Sequence, residues 1–158
     1  MSKSSLKTIL KMWSGLGYNN RAKRLYESSK LLAEQGFEGI YPNFEILPGV
    51  GPYTKNAILS FAYGDNVLAV DTNLQRIIIR YFGIDNTKDY LREYSDLLLE
   101  SIKSEDLNQA FMDFGSSICT SSNTKCDICP LEKNCKKYFV NSKNSIKKFK
   151  GSNRELRG

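Results

Sequence analysis

Only one stretch of this 158-residue chain, "NVLAV" at 66–70, has the unbroken aliphatic run of a strand, and five residues cannot carry a sheet. Everything around it follows a helical period. Leu6, Ile9, Leu10 and Trp13 form one apolar stripe, and Ala22, Leu25, Ser29, Leu32 and Ala33 a second; Gly15 and Gly17 make the turn between them. Gly36 and Gly39 end the second helix, and Pro42 lies just beyond. A third helix is predicted over 52–63, with Pro52 suited to its first turn. A fourth covers 71–82 and stops at Gly83, a fifth follows the spacing of Leu91, Tyr94, Leu98 and Ile102, and a sixth covers 107–118. The pattern predicts an all-α fold in which 66–70 is a buried connector. No apolar run reaches the roughly eighteen residues that a membrane span needs.

The residue types narrow the chemistry. There is no histidine, which removes His-based acid–base catalysis, Ser–His and Cys–His nucleophile pairs and mixed Cys/His zinc sites. The formal charge of +6 is concentrated at the C-terminus, where Lys136 to Gly158 holds six lysines and two arginines against one glutamate. Such a segment reads as a basic, flexible tail, either solvated or meeting a polyanion. The start, "MSKSSLKTILKMW", has no long apolar core and no small-residue cleavage site, so the chain reads as intracellular. In that setting Cys119, Cys126, Cys129 and Cys135 read as ligands rather than as two disulfides. Zinc ribbons pair two C-x2-C knuckles, and only Cys126–Cys129 is one. The compact C-x6-C-x2-C-x5-C run suits four thiolates around an iron–sulfur cluster, with zinc as the alternative. Lys125, Lys133, Lys136 and Lys137 surround these ligands, where cations offset a negative cluster and can meet phosphates.

Two further motifs each carry a plain and a functional reading. In "LPGVG", Gly49, Val50 and Gly51 join two helices. Glycine permits positive φ and close backbone approach, so the turn can aim N–H groups at an anion beside the positive N-terminus of helix 52–63. The plain reading is a tight turn. In "VDTN", Asp71 opens a helix, and aspartate is a preferred N-cap, a role Asn73 can share. The functional reading is an ionised carboxylate that stabilises a developing cation. The two roles coexist if the carboxylate caps the helix while the site is empty.

Taken in order, "LPGVGPYT", "VDTN" and the four-cysteine run resemble the helix-hairpin-helix superfamily of base-excision DNA glycosylases. "GLGYNNRAKRL" (15–25) and "LNQAFMDFGSSIC" (107–119) extend the likeness, which runs from about Leu6 to Lys136. It implies a helical glycosylase core over 1–118 with the helix-hairpin-helix at about 43–63, then a loop over 119–135 holding a 4Fe–4S cluster. The tail, 136–158, falls outside it. It also implies a monomer acting on double-stranded DNA with a mispaired or damaged base, in the cytoplasm or another DNA-containing compartment, with no membrane role.

Within the superfamily, endonuclease III-like lyases carry a catalytic lysine at the second position after the hairpin's last glycine. Tyr53 stands there in this chain, and Lys55 lies about 200° further round the helix. The resemblance therefore implies a monofunctional hydrolase similar to A/G-specific adenine glycosylases or to G/T-mismatch thymine glycosylases. In those enzymes the target base is flipped into a pocket. Asp71 matches the aspartate that stabilises the oxocarbenium sugar, and Tyr53 a tyrosine packed near that sugar. Tyr18 matches the aromatic wedge pushed into the base stack, and Leu47, Gly49, Val50 and Gly51 match the phosphate-gripping hairpin. The implied substrate is adenine opposite guanine or 8-oxoguanine; a thymine glycosylase and a DNA-binding chain without catalysis are the alternatives.

Three departures bear on that choice. Tyr18-Asn19 replaces the usual Tyr-Tyr, and "VDTN" replaces VDGN. The family's first helices, one of which carries the glutamate that protonates adenine, have no counterpart. Glu27, Glu34, Glu38 and Glu45 all lie downstream of that position, so the chain reads as an N-terminally shortened member.

Overall fold

A computed structural model of the chain describes residues 1–85 and 87–139. Of the expected basic tail, everything beyond Phe139 lies outside the described residues. Those residues hold six α-helices and no strand, and they divide into two compact units, Met1–Gly51 and the residues from Pro52 onward.

In the first unit, α1 (Leu6–Met12) starts at Ser5, whose hydroxyl accepts the Thr8 N–H at 3.1 Å. This is an ordinary serine N-cap. Trp13 is its C-terminal cap. Helix α2 (Asn19–Ile40) contains Gly36 at φ 72°, ψ 165°, so the expected stop is a kink, after which a helical turn resumes up to Ile40. The core of this unit is Ile9, Ala22, Ile40, Phe44 and Leu47. The apolar stripe expected on α2 is rotated from its predicted line: Leu25 is 45% exposed, whereas Ser28 is buried. A polar residue takes the inward position because it has a partner there, described below.

In the second unit, α3 (Pro52–Ile58) does not continue to residue 63 as a regular helix. It widens into one turn of π-helix, Leu59–Tyr63, closed by Gly64 at φ 73°. The wide turn brings both Leu59 and Ser60 inside. Helix α4 (Thr72–Phe82) is capped by Asp71 and stopped by Gly83 at φ 68°. Helix α5 spans Thr87–Leu99, leaving Ile102 beyond its end, and α6 spans Ser104–Ser117. Leu68, Leu74, Ile78 and Leu99 form the core, with Val70, Leu91, Leu107 and Phe111 packed on it. Each such aliphatic side chain stabilises the fold by about 1.5–3 kcal/mol relative to exposure.

The 66–70 connector is irregular, as expected, with Leu68 and Ala69 buried. A buried connector must find partners for its peptide groups, and asparagines provide them. Asn56 donates to the Leu68 carbonyl at 2.8 Å. Asn108 accepts the Ala69 N–H at 2.9 Å and donates to the Val67 carbonyl at 3.0 Å.

Candidate functional site

In the first unit, the Leu47–Val50 segment folds as a type II turn. Pro48 presets the second position, Gly49 takes φ 89° at the third, and the Val50 N–H closes on the Leu47 carbonyl at 3.0 Å. Gly49 is required twice over. Its φ is left-handed, and a Cβ there would lie 2.8 Å from Arg24 Cδ. Arg24 therefore lies flat over the turn, while Ser28, one helical turn further along α2, donates to the Pro48 carbonyl at 3.1 Å. Of the expected outward amides, that of Val50 is consumed by the turn itself. Those of Gly49 and Gly51 have no hydrogen-bond partner among the described residues. Leu47 is buried, so it anchors the turn from below.

Tyr18 stands in the same unit just before α2. It has φ 50°, ψ 57°, makes no side-chain capping bond and is 76% exposed. A bulky side chain at such a backbone position is an outlier.

In the second unit, Asp71 is the N-cap of α4, and both of its carboxylate oxygens are held. Oδ1 accepts the Leu74 N–H at 2.7 Å, and Oδ2 accepts Asn73 Nδ2 at 2.9 Å. The plain and functional readings of Asp71 thus share one conformation: the bonds that cap the helix also fix the carboxylate. Asn73 is oriented in turn by Arg76, whose Nη2 donates to Asn73 Oδ1 at 2.8 Å and to the Gly115 carbonyl at 2.7 Å. Arg76 Nε donates to the Cys119 carbonyl at 2.9 Å. A cation on one side of the amide settles which end of Asn73 faces the carboxylate. Gly115 makes room, because a Cβ there would lie 2.6 Å from Asn73 Cβ. Tyr53, on α3, is 41% exposed and directs its hydroxyl at Met112 Sδ, 3.8 Å away.

The four cysteines are free thiols, and all four line one cavity with Arg80 and Lys137. Arg80 Nη1 donates to Cys119 Sγ at 3.4 Å and to the Thr120 carbonyl at 2.7 Å, and Nη2 to the Ser121 carbonyl at 3.2 Å. The Lys137 N–H donates to Cys135 Sγ at 3.4 Å. Four sulfur donors, those of Cys119 and Cys135 facing N–H groups, with no imidazole in the chain, fit a thiolate-ligated centre. Yet no three His, Cys, Asp or Glu side chains among the described residues are grouped to hold a single ion. Of the surrounding lysines, Lys137 is committed to Glu132 at 2.7 Å, and that hydrogen bond and carboxylate charge raise its pKa; Lys125, Lys133 and Lys136 are exposed.

Sequence reasoning singled out Asp71, Tyr53, Tyr18, the hairpin and the cysteines as candidates. It did not assign roles to Arg24, Ser28, Arg76, Arg80 or Gly115. The available signal was Arg76 and Arg80 one turn apart within the apolar run of "QRIIIRYF", which marks cations turned toward a polar partner.

Residues 1–101 match the HhH-GPD superfamily base excision DNA repair protein family. An adenine DNA glycosylase of Buchnera aphidicola subsp. Baizongia pistaciae is 43% identical over 149 residues, which are 89% of this chain and 42% of that protein. The chain thus spans less than half the length of this relative. Among solved structures, a thermostable thymine-DNA glycosylase is similar at a TM-score of 0.74 and 32% identity, covering 87% of this chain and 67% of that one. A non-covalent endonuclease III–DNA complex is similar at 0.66 and 26%, covering 85% and 65%.

Proposed function

This chain belongs to the HhH-GPD superfamily of base excision DNA repair proteins, and from that premise we propose that it is a monofunctional DNA glycosylase. It hydrolyses the N-glycosidic bond of a mispaired base in duplex DNA, adenine opposite guanine or 8-oxoguanine. The observation that carries the reading is the Asp71 carboxylate, held at both oxygens by the Leu74 amide and Asn73. As the base departs, positive charge develops on the sugar. A carboxylate already fixed in place stabilises that charge without reorganising. Tyr53 occupies the position where a lyase places its lysine, so water rather than an amine completes the reaction. The free amides of Gly49 and Gly51 bind backbone phosphate, which positions the duplex without reading its sequence. Tyr18 fills the gap left by the flipped base.

The four thiols are the ligands of a 4Fe–4S cluster. Their convergence on one cavity and the compact C-x6-C-x2-C-x5-C spacing support this centre over zinc. When bound, the cluster supplies a rigid anchor for 119–135. Glycosidic hydrolysis transfers no electron, so the reacting groups are the chain's own.

Purified protein incubated with A·8-oxoG, A·G and T·G duplexes, then treated with alkali, is expected to show strand scission at adenine. Asp71→Asn is expected to lower the rate by roughly a hundred- to a thousand-fold or more. Scission on none of the three duplexes would refute catalysis. Scission on T·G alone would establish the second reading, a thymine glycosylase, which the likeness to the thermostable thymine-DNA glycosylase favours. Stoichiometric iron with visible charge-transfer absorption checks the cluster, and zinc without iron sinks it.

A further inference from the structure

The turn between α1 and α2 contains a contact that the chemistry above does not use. Arg21 lies in the first turn of α2. Its guanidinium carbon is 5.5 Å from the centroid of the Trp13 ring and 5.6 Å from that of Tyr18. Both distances are within cation–π range. Arg21 Nη2 also donates to the Leu16 carbonyl at 3.2 Å, and Trp13 Nε1 donates to the Gly17 carbonyl at 3.0 Å. Trp13 at the end of α1, the Leu16 carbonyl and Tyr18 are thereby tied to one cation, and Trp13 in turn holds Gly17.

Tyr18 needs such a restraint. Its backbone is left-handed, its ring is three-quarters exposed, and no side-chain cap secures it. A strained conformation persists only where its surroundings over-determine it. A wedge is useful only if its ring is already held in the orientation from which it enters a base stack, since freezing it on binding costs entropy.

We infer that Arg21 is a positioning residue: clasped between the Trp13 and Tyr18 rings, it holds Tyr18 in the left-handed conformation that presents the ring to duplex DNA. This rests on the reading of Tyr18 as the wedge. Arg21 acts through the ring and makes no essential phosphate contact of its own.

Trp13 is the only tryptophan in the chain, so its indole N–H and its emission report on the clasp directly. The test uses the full chain as wild type, Tyr18→Ala, Arg21→Met and Arg21→Lys. Each is titrated with a matched duplex and with an A·G duplex carrying 2-aminopurine beside the mismatch. In the free protein, Arg21→Met is expected to speed indole N–H exchange roughly tenfold, with an unchanged thermal midpoint. On the A·G duplex, wild type raises the 2-aminopurine emission and Tyr18→Ala does not. Arg21→Met is expected to need about five- to tenfold more protein for the same rise. Arg21→Lys, which keeps the cation, falls between.

A Tyr18→Ala protein that still unstacks the reporter overturns the wedge reading and this inference with it. If Tyr18→Ala fails to unstack it while Arg21→Met matches wild type, the inference alone is overturned. Equal weakening of Arg21→Met on matched and mismatched duplexes, with the salt slope reduced by about one, assigns Arg21 to a phosphate and also overturns it.

Discussion

The two irregular segments of the second unit, the 66–70 connector and the Cys119–Cys135 loop, meet the same difficulty in opposite ways. Neither belongs to an α-helix or a sheet, the loop holding only two short 3-10 turns, so each needs side chains to satisfy its peptide groups. The connector is served by neutral amides, Asn56 and Asn108. The cysteine loop is served by guanidinium groups: Arg76 and Arg80 together hold the carbonyls of Cys119, Thr120 and Ser121. Burial decides which. Asn108 is only 2% exposed and belongs to a closed network with Ser60 and Ser104. A cation there would lose its hydration with nothing to compensate it. The loop lies nearer solvent, where a guanidinium keeps part of its hydration, so cations are tolerated. A neutral network stabilises the interior of the fold, whereas a charged one fastens the cysteine loop to it.

That contrast can be broken at several points, the first with the largest effect. Asn108→Leu leaves the Ala69 N–H, the Val67 carbonyl and the Ser60 hydroxyl short of a partner. It is expected to cost about 3–5 kcal/mol in urea unfolding. A loss below about 1 kcal/mol would mean the connector is held by packing instead. Arg80→Leu should act locally. Amide exchange across 119–125 is expected to quicken roughly tenfold, or ~1.4 kcal/mol of local opening, while the exchange of α4 and α6 interior amides stays near wild type. Equal acceleration throughout would erase the distinction between the two segments.

The smallest effect is at the trailing end of the loop. The Tyr138 hydroxyl donates to Asp85 Oδ1 at 2.6 Å, and that bond, together with the carboxylate charge, raises the phenol pKa above its ordinary 10.0. A raised native pKa means the contact's contribution is fully present below pH 10 and is lost as pH climbs through the shifted value. Phenolate absorbance of wild type minus Tyr138→Phe should therefore show one late-titrating tyrosine, and Asp85→Asn should return it to the ordinary range.

Much of this was legible in the residues. Asp71 reads as a helix start because a short carboxylate accepts the amide three residues on, and the structure uses it so. "LPGV" reads as a tight turn from its proline and glycine, and the positive φ of Gly49 agrees. The irregular 66–70 connector was legible from its length. Other features were not, because they depend on partners distant in sequence. Ser28 takes an inward place that periodicity gives to Leu25, since its hydroxyl meets the Pro48 carbonyl twenty residues away. Gly115 looks like a weak point inside α6 until Asn73 is seen against it. The π-turn at Leu59–Tyr63 has no local signature, because it is set by Ser60 reaching Ser104 and Asn108.

If Asp71 is the reacting carboxylate proposed above, its capping bond to α4 has an evolutionary consequence. Asparagine caps a helix about as well as aspartate, so a single nucleotide change at this codon silences the carboxylate while leaving α4 intact. The product would be a folded protein that grips duplex DNA and releases it unaltered. On that reading, chains of this kind can lose base excision without crossing an unfolded intermediate.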